Sequence, residues 1–449
     1  MFSSIAQFRL LSGFKKQLTD NAMNIIRTTA GLFILITLFF TGNASGAGRV
    51  YLDITAPETR KINIAVPWFT NKNLDGHRQR LGRDMADTLA KSLKFHGIIS
   101  ILPISQYGGS LKADWKRHGV DYVVFGSYSI TPKNIKLELR LFDVAGNEVI
   151  MGKSFSGPMG QKDKMLFKFC DHVIKTLTGI NGIANTKIAF VSRVKKTKEV
   201  YLTDILGKKL RQITRHRNLT VSPRFKPDGI YLTYTSYHTG NQNLYITDLR
   251  QSKTTRVLSR RKGLNLAPAW SPDGDRMVLT LSKSGTPDLY LLDSRGNILE
   301  QLTSKSGINV SPTWSPDGRY IVFVSDRSGK PQLYLLDMRS RKIRRLTFEG
   351  TENAEPNWSP TENKIVYSSL RNGVYQLFTM NPLKDETPTQ LTVDLSHHES
   401  PVWSPDGNQI AFAKRDGKRH QIYVIMKDGS FQRRMFSFPG SQTYPQWSR

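Results

Sequence analysis

Chemistry needs nucleophiles, bases, metal ligands or convergent polar groups, and this 449-residue chain offers few of them. Its single cysteine, Cys170, sits on an apolar stripe with Phe167, Ile174 and Leu177, where a thiol packs as a small hydrophobe. His397 and His398 are the one pair of adjacent histidines, followed by Glu399. Two sequence neighbours and one acid are a weak metal signal, so no metal and no cofactor are expected. There is no G-x-S-x-G elbow, no H-E-x-x-H, no Gly-Lys-Ser phosphate loop and no cysteine pair. What does converge is a set of amides. Asn265, Asn309 and Asn353 occupy the same place in successive segments, "GLNLAP" (263–268), "GINVSP" (307–312) and "TENAEP" (351–356). A ring of amides with apolar tips at Leu264, Leu266 and Val310 suits a protein-binding face. The alternative is that each Asn only stabilises its own turn.

The elements that carry these segments follow from a repeat. The aromatic residues Phe225, Trp270, Trp314, Trp358, Trp403 and Trp447 recur every 44–45 residues, three of them followed by Ser-Pro-Asp-Gly. That period is the length of a propeller blade. Within 311–347, "SPTW" is a first strand and "SPDG" a turn, with Pro316 at its corner and Gly318 at positive φ. "RYIVFVS", "PQLYLLD" and "KIRRLT" complete four strands. Six sets of strands two to four occur, but the set starting at Lys187 lacks a first strand, while "YPQWSR" at 444–449 has none after it. Closing the C-terminal strand onto the first blade balances the count and leaves no free edge. The expectation is a mainly β protein: a six-bladed β-propeller over 187–449, in which the tryptophans pack between blades. Function is then expected in the connections at the channel mouth, 217–223, 263–268, 307–312, 351–356, 395–401 and 440–445.

Residues 60–179 do not repeat and are expected to form a small α/β domain. Its elements are a buried strand at 61–69, a helix at 80–97, strands at 98–103 and 120–129, a hairpin turning at 145–147 and a closing helix at 160–179. Residues 180–186 link it to the propeller. Ahead of it, 47–59 alternates Val50, Leu52 and Ile54 with Tyr51 and Asp53. Such an extended arm can add a strand to a partner. Residues 1–46 have the layout of a secretory signal: Arg27, the apolar run Gly31–Phe40 and the small residues 43–48, with Met23 as a possible true start. Export without an anchor or a disulfide fits a bacterial periplasm. The formal net charge of +29 favours anionic partners. Nucleic acid is seldom met there, so acidic proteins, lipid heads or cell-wall polymers are the expected neighbours, and the mature chain is expected to contain no membrane span.

Arm, small α/β domain, the junction "LTGINGIANTKIAFVS" (177–192) and the W-S-P-D-G blades together resemble the TolB family of the Tol–Pal envelope system, over the whole mature chain. The pentapeptide alone also marks propellers of prolyl oligopeptidase-like hydrolases; the domain order makes the match more specific. The resemblance implies a non-enzymatic periplasmic adaptor. Its propeller mouth would grip the peptidoglycan-associated lipoprotein Pal, and its arm would engage TolA, supporting outer-membrane integrity and constriction at division. Other outer-membrane proteins are further possible partners. Carried onto this chain, the mouth positions are Leu264, Asn265, Ala267, Asn309, Val310, Asn353 and Glu355, joined by His398 and Glu399. The arm is Arg49, Val50, Tyr51, Leu52, Asp53, Ile54 and Thr55. Leu264 and Val310 stand where polar or small tips are expected, so the contacts would be rewired. Two other readings stay open: a binder of an anionic glycan or cell-wall polymer, and a propeller gating a hydrolase.

Overall fold

The computed structural model describes residues 61–73, 79–194, 196–251 and 255–448. The signal, the start at Met23 and the arm with its residues Arg49–Thr55 lie outside the described residues.

Six four-stranded antiparallel sheets form the propeller. Blade 1 runs Thr220–Phe225, Tyr231–Ser236, Asn243–Asp248 and Thr255–Ser259, and four more follow in the same order. Blade 6 is composite: its inner strand Ser441–Trp447 pairs with Lys187–Val194, which continues to Thr197–Asp204 and Arg211–Gln212. The offset of the sequence repeat therefore has the consequence expected of it, a ring closed by its last strand.

The Ser-Pro-Asp-Gly turn is held by a buried hydroxyl. Ser271 is fully buried; its Oγ donates to Asp273 Oδ1 at 2.5 Å and accepts from the Arg276 N–H at 3.1 Å. The Asp275 N–H caps the same carboxylate at 3.0 Å, and Gly274 takes φ +76° to close the turn. Three of the tryptophans then donate to the preceding blade. Trp314 Nε1 donates to Ala269 O at 3.0 Å, Trp403 Nε1 to Asn357 O at 3.2 Å, and Trp270 Nε1 to Thr233 Oγ1 at 3.3 Å. The apolar cores accordingly lie between blades. One core joins Ala269, Val278 and Leu291 of blade 2 to Trp314, Ile321 and Phe323 of blade 3.

The inner strands begin earlier than "SPTW" suggests, at Asn265, Asn309 and Glu352, so the segments expected to be loops are partly strand. Each inner strand carries a bulge before its proline. The residue at that bulge has positive φ in all six: Ser222, Ala267, Ser311, Glu355, Ser400 and Tyr444. Proline disfavours the αR region for its predecessor, and the bulge turns that restriction into a sharp local twist.

The N-terminal domain is a mixed sheet. Ile62–Ala65 lies parallel to Ile99–Ile101 and to Tyr122–Ile130, which continues antiparallel through Ile135–Asp143 to Glu148–Gly157. Helices Gln79–Phe95 and Lys162–Thr178 cover one face, and Cys170 is fully buried on it. Residues 114–119 form a turn. No described helix is long and apolar enough to cross a membrane.

Candidate functional site

The inner strands run from one opening of the ring to the other, so the two faces differ in chemistry. The turn face carries the Ser-Pro-Asp-Gly loops, and the α/β domain docks there at the seam between blades 5 and 6. Phe95 O accepts Gln409 Nε2 at 3.1 Å and the Arg433 guanidinium, and the Phe95 and Trp447 rings meet edge-on at 6.1 Å. The docking buries one continuous core that contains Leu89 and Phe169 of the domain, Ala411 and Ile422 of blade 5, and Ile188 and Phe190 of blade 6. The linker is clamped beside it. The Ile183 N–H donates to His96 Nε2 at 3.1 Å, and Asp171 accepts the N–H groups of Ala184 (2.6 Å) and Asn185 (3.1 Å). Burial lowers the His96 pKa, against the opposing Asp406 charge, and raises that of Asp171 to about 6 despite its two N–H bonds.

The opposite mouth, where the inner strands start, is the candidate binding face. The amides expected to line it point elsewhere. Asn265, Asn309 and Asn353 are fully buried, as are Thr220, His398 and Gln442 at the same step of the other blades. Asn265 Nδ2 donates to Arg261 O at 2.7 Å, while its Oδ1 accepts from Ser259 Oγ. Asn309 Nδ2 binds Asp288 Oδ1 at 2.9 Å, and its Oδ1 takes Arg327 Nη2 at 2.8 Å. Asn353 Nδ2 donates to Gln332 Oε1 at 2.8 Å. These groups secure the connection preceding each inner strand. Leu266, Ala267 and Val310 are buried as well, and only Leu264 among these apolar residues is half-exposed. Glu355 lies inside the channel, accepting Ser400 N at 2.6 Å and Ser400 Oγ at 3.0 Å. Glu399 pairs with His420 Nε2 at 3.4 Å. His398 faces Asp394 Oδ2 at 3.4 Å, and its burial lowers its pKa. Asp394 is held down to about 2; partial burial opposes this, but the Lys414 ammonium at 2.8 Å and the Ser396 N–H outweigh it. No group of three or more His, Cys, Asp or Glu among the described residues could hold a metal.

This face presents three residues that the sequence reading did not single out, although Leu395 lies within the connection 395–401. Phe348 is 73% exposed, Val393 84% and Leu395 91%, on the adjacent connections entering blades 4 and 5. Three large apolar side chains held in water beside one opening are the composition of a docking patch rather than of a solvated loop. The only signal available in sequence was their apolar type within otherwise polar connections. The same face brings together His216 and His238, 22 residues apart, with ring centroids 3.9 Å apart and both Nδ1 atoms on Ser236 Oγ. Burial and the His238 charge lower the His216 pKa to about 4.

Comparison with known proteins agrees with this architecture. The TolB beta propeller domain profile matches residues 174–449, and the TolB amino-terminal domain profile matches residues 50–150. The Tol-Pal system protein TolB of Desulfotalea psychrophila is 61% identical over 433 residues, 95% of this chain and 99% of that one. The Tol-Pal system protein TolB of Desulfosudis oleivorans is 36% identical over 216 residues, 46% of this chain and 49% of that one. A crystal structure of TolB from Acinetobacter baumannii superposes with a TM-score of 0.76 at 28% identity, covering 86% of this chain and 96% of that one. A family-specific propeller preceded by its own amino-terminal domain, with near-complete overlap at 61% identity, leaves one conclusion: the chain belongs to the TolB family.

Proposed function

We propose that this protein is a non-enzymatic periplasmic adaptor of the Tol–Pal system. It docks the peptidoglycan-associated lipoprotein on the mouth opposite the α/β domain and engages TolA through the arm at residues 47–59. In this role it supports outer-membrane integrity and constriction at division. The observation that carries the docking site is the apolar trio Phe348, Val393 and Leu395 on the mouth away from the α/β domain. Burying three such side chains supplies about 5–9 kcal/mol before association costs, enough to anchor a specific interface. Calorimetric titration with the soluble domain of the same organism's peptidoglycan-associated lipoprotein tests the reading. Wild-type binding weakened at least tenfold in a Phe348→Ser, Leu395→Ser variant supports it; unchanged binding moves the site elsewhere.

The +29 net charge favours a second reading, capture of an anionic cell-wall polymer. Binding to such a polymer that needs no protein partner and weakens steeply with salt would support it.

A further inference from the structure

One layer inside the propeller departs from the repeat. The residue before each blade's aromatic faces the channel: Arg224, Ala269, Thr313, Asn357, Val402 and Gln446. Five are neutral, and blade 1 alone places a guanidinium there. The architecture does not require it, since the other five blades do without. Among the described residues, the Arg224 side chain makes one hydrogen bond, from Nη1 to Pro223 O at 3.0 Å, and no ion pair within 4 Å. That leaves most of its donor fork without a protein partner on a half-buried side chain that lines the channel. Burial lowers its pKa to about 10; the opposing field of Glu355 does not offset this.

The channel beside it widens toward the turn face into a cavity of about 150 Å³, whose lip is built from tryptophans and prolines. Toward the other mouth it narrows to about 20 Å³ at the layer of Ser222, Ser311 and Glu355. One further donor borders the wide side. Lys226 lines it, its ammonium 3.7 Å from Asp228 and over the Trp270 ring at 5.6 Å.

We propose that the turn-face funnel of the propeller channel is a carboxylate-binding site, with the Arg224 guanidinium as its bidentate receptor and Lys226 as an auxiliary donor. A planar fork in a narrow slot matches a carboxylate. Glu355 in the next layer and Asp228 beside Lys226 match the charges of Arg224 and Lys226, so the site holds no surplus for a dianionic phosphate, and a monoanion suits it better. The apolar lip favours a carboxylate borne on a short apolar group or at the end of an apolar chain segment. The site is separate from the docking mouth and stands whether or not that mouth binds a lipoprotein.

The test is a tryptophan-fluorescence titration of the purified chain with acetate, propionate and inorganic phosphate at constant ionic strength. A saturable change with the two carboxylates in the millimolar range is expected, at least tenfold weaker with phosphate. Arg224→Gln should abolish it, and Arg224→Lys, which keeps the charge but loses the fork, should weaken it about tenfold. Should Arg224→Gln lack the wild-type circular dichroism, Arg224→Lys carries the comparison. Crystals soaked in bromoacetate should show anomalous bromine scattering beside the guanidinium. A response that never saturates, one that Arg224→Lys leaves unchanged, or phosphate binding tighter than the carboxylates would each overturn the proposal.

Discussion

Replacing His96 by Leu should loosen the joint between the two domains, and its size follows from the bonds around the ring. His96 is 3% exposed; Nδ1 donates to Ser92 O at 3.0 Å, leaving Nε2 to accept the Ile183 N–H at 3.1 Å. That pattern fixes a neutral imidazole. Leucine fills much of the volume but leaves the Ile183 donor buried and unpaired, which costs about 1–3 kcal/mol. Acid should act on the same bond in the wild type. Burial holds the folded pKa below the ordinary 6.5, so the unfolded chain binds more protons at mildly acidic pH and stability falls as pH drops through 6.5. The slope approaches about 1.4 kcal/mol per pH unit for one proton. Asp171, raised to about 6, works in the opposite sense: its folded form holds a proton that the unfolded form releases, adding stability as pH falls from about 6 toward the ordinary carboxylate range. The two overlap near pH 5–6, so the informative quantity is wild type minus His96→Leu, in which the Asp171 contribution cancels. Urea unfolding between pH 5 and 7.5, with hydrogen exchange of the 180–187 amides, measures both effects. Equal stability at pH 7.5, or a difference that does not shrink as pH falls, would refute the reasoning.

Other consequences are sharper for being comparative. Trp314→Phe removes the partner of a buried Ala269 carbonyl and should cost about 1–2 kcal/mol more than Trp358→Phe, whose Nε1 donates to nothing; thermal unfolding of the pair decides it. Gly318→Ala meets nothing closer than 3.7 Å and should cost about 1–2 kcal/mol for its positive φ alone. Gly296→Ala would place its Cβ 2.0 Å from Leu258 O, so it should cost clearly more, read by urea midpoints. Phe348→Ser with Leu395→Ser, both in water already, should shift the unfolding midpoint by less than about 0.5 kcal/mol while weakening lipoprotein binding.

Blade count, closure and the order of domains were legible because they rest on spacing and alternation, which a single chain displays. The mouth was less so. Asn265, Asn309 and Asn353 share a frame position, and such a repeat is as easily produced by a buried bond made six times over as by a ring facing a partner. The structure places them in the first of these arrangements. Phe348 and Val393 share a frame position, but Arg215, Arg260 and Ser304 fill it in other blades, and Leu395 opens the connection 395–401, so the repeat by itself does not mark the three as apolar. His216 beside His238, and Phe95 against Gln409, are products of long-range packing between segments whose sequences give no hint of each other.

The α/β domain sits across the joint where blade 6 is completed by hydrogen bonds between two distant stretches of chain. In mechanical terms it is a rivet over a seam. A pull on the domain is not confined to the linker; it loads Phe95, Trp447 and the Gln409 and Arg433 side chains, and through them the strand that holds the ring shut. Tension delivered to one end of such a molecule reaches the ring at its least covalent point. Stretched in an optical trap, domain and ring should release together in one rupture rather than in two.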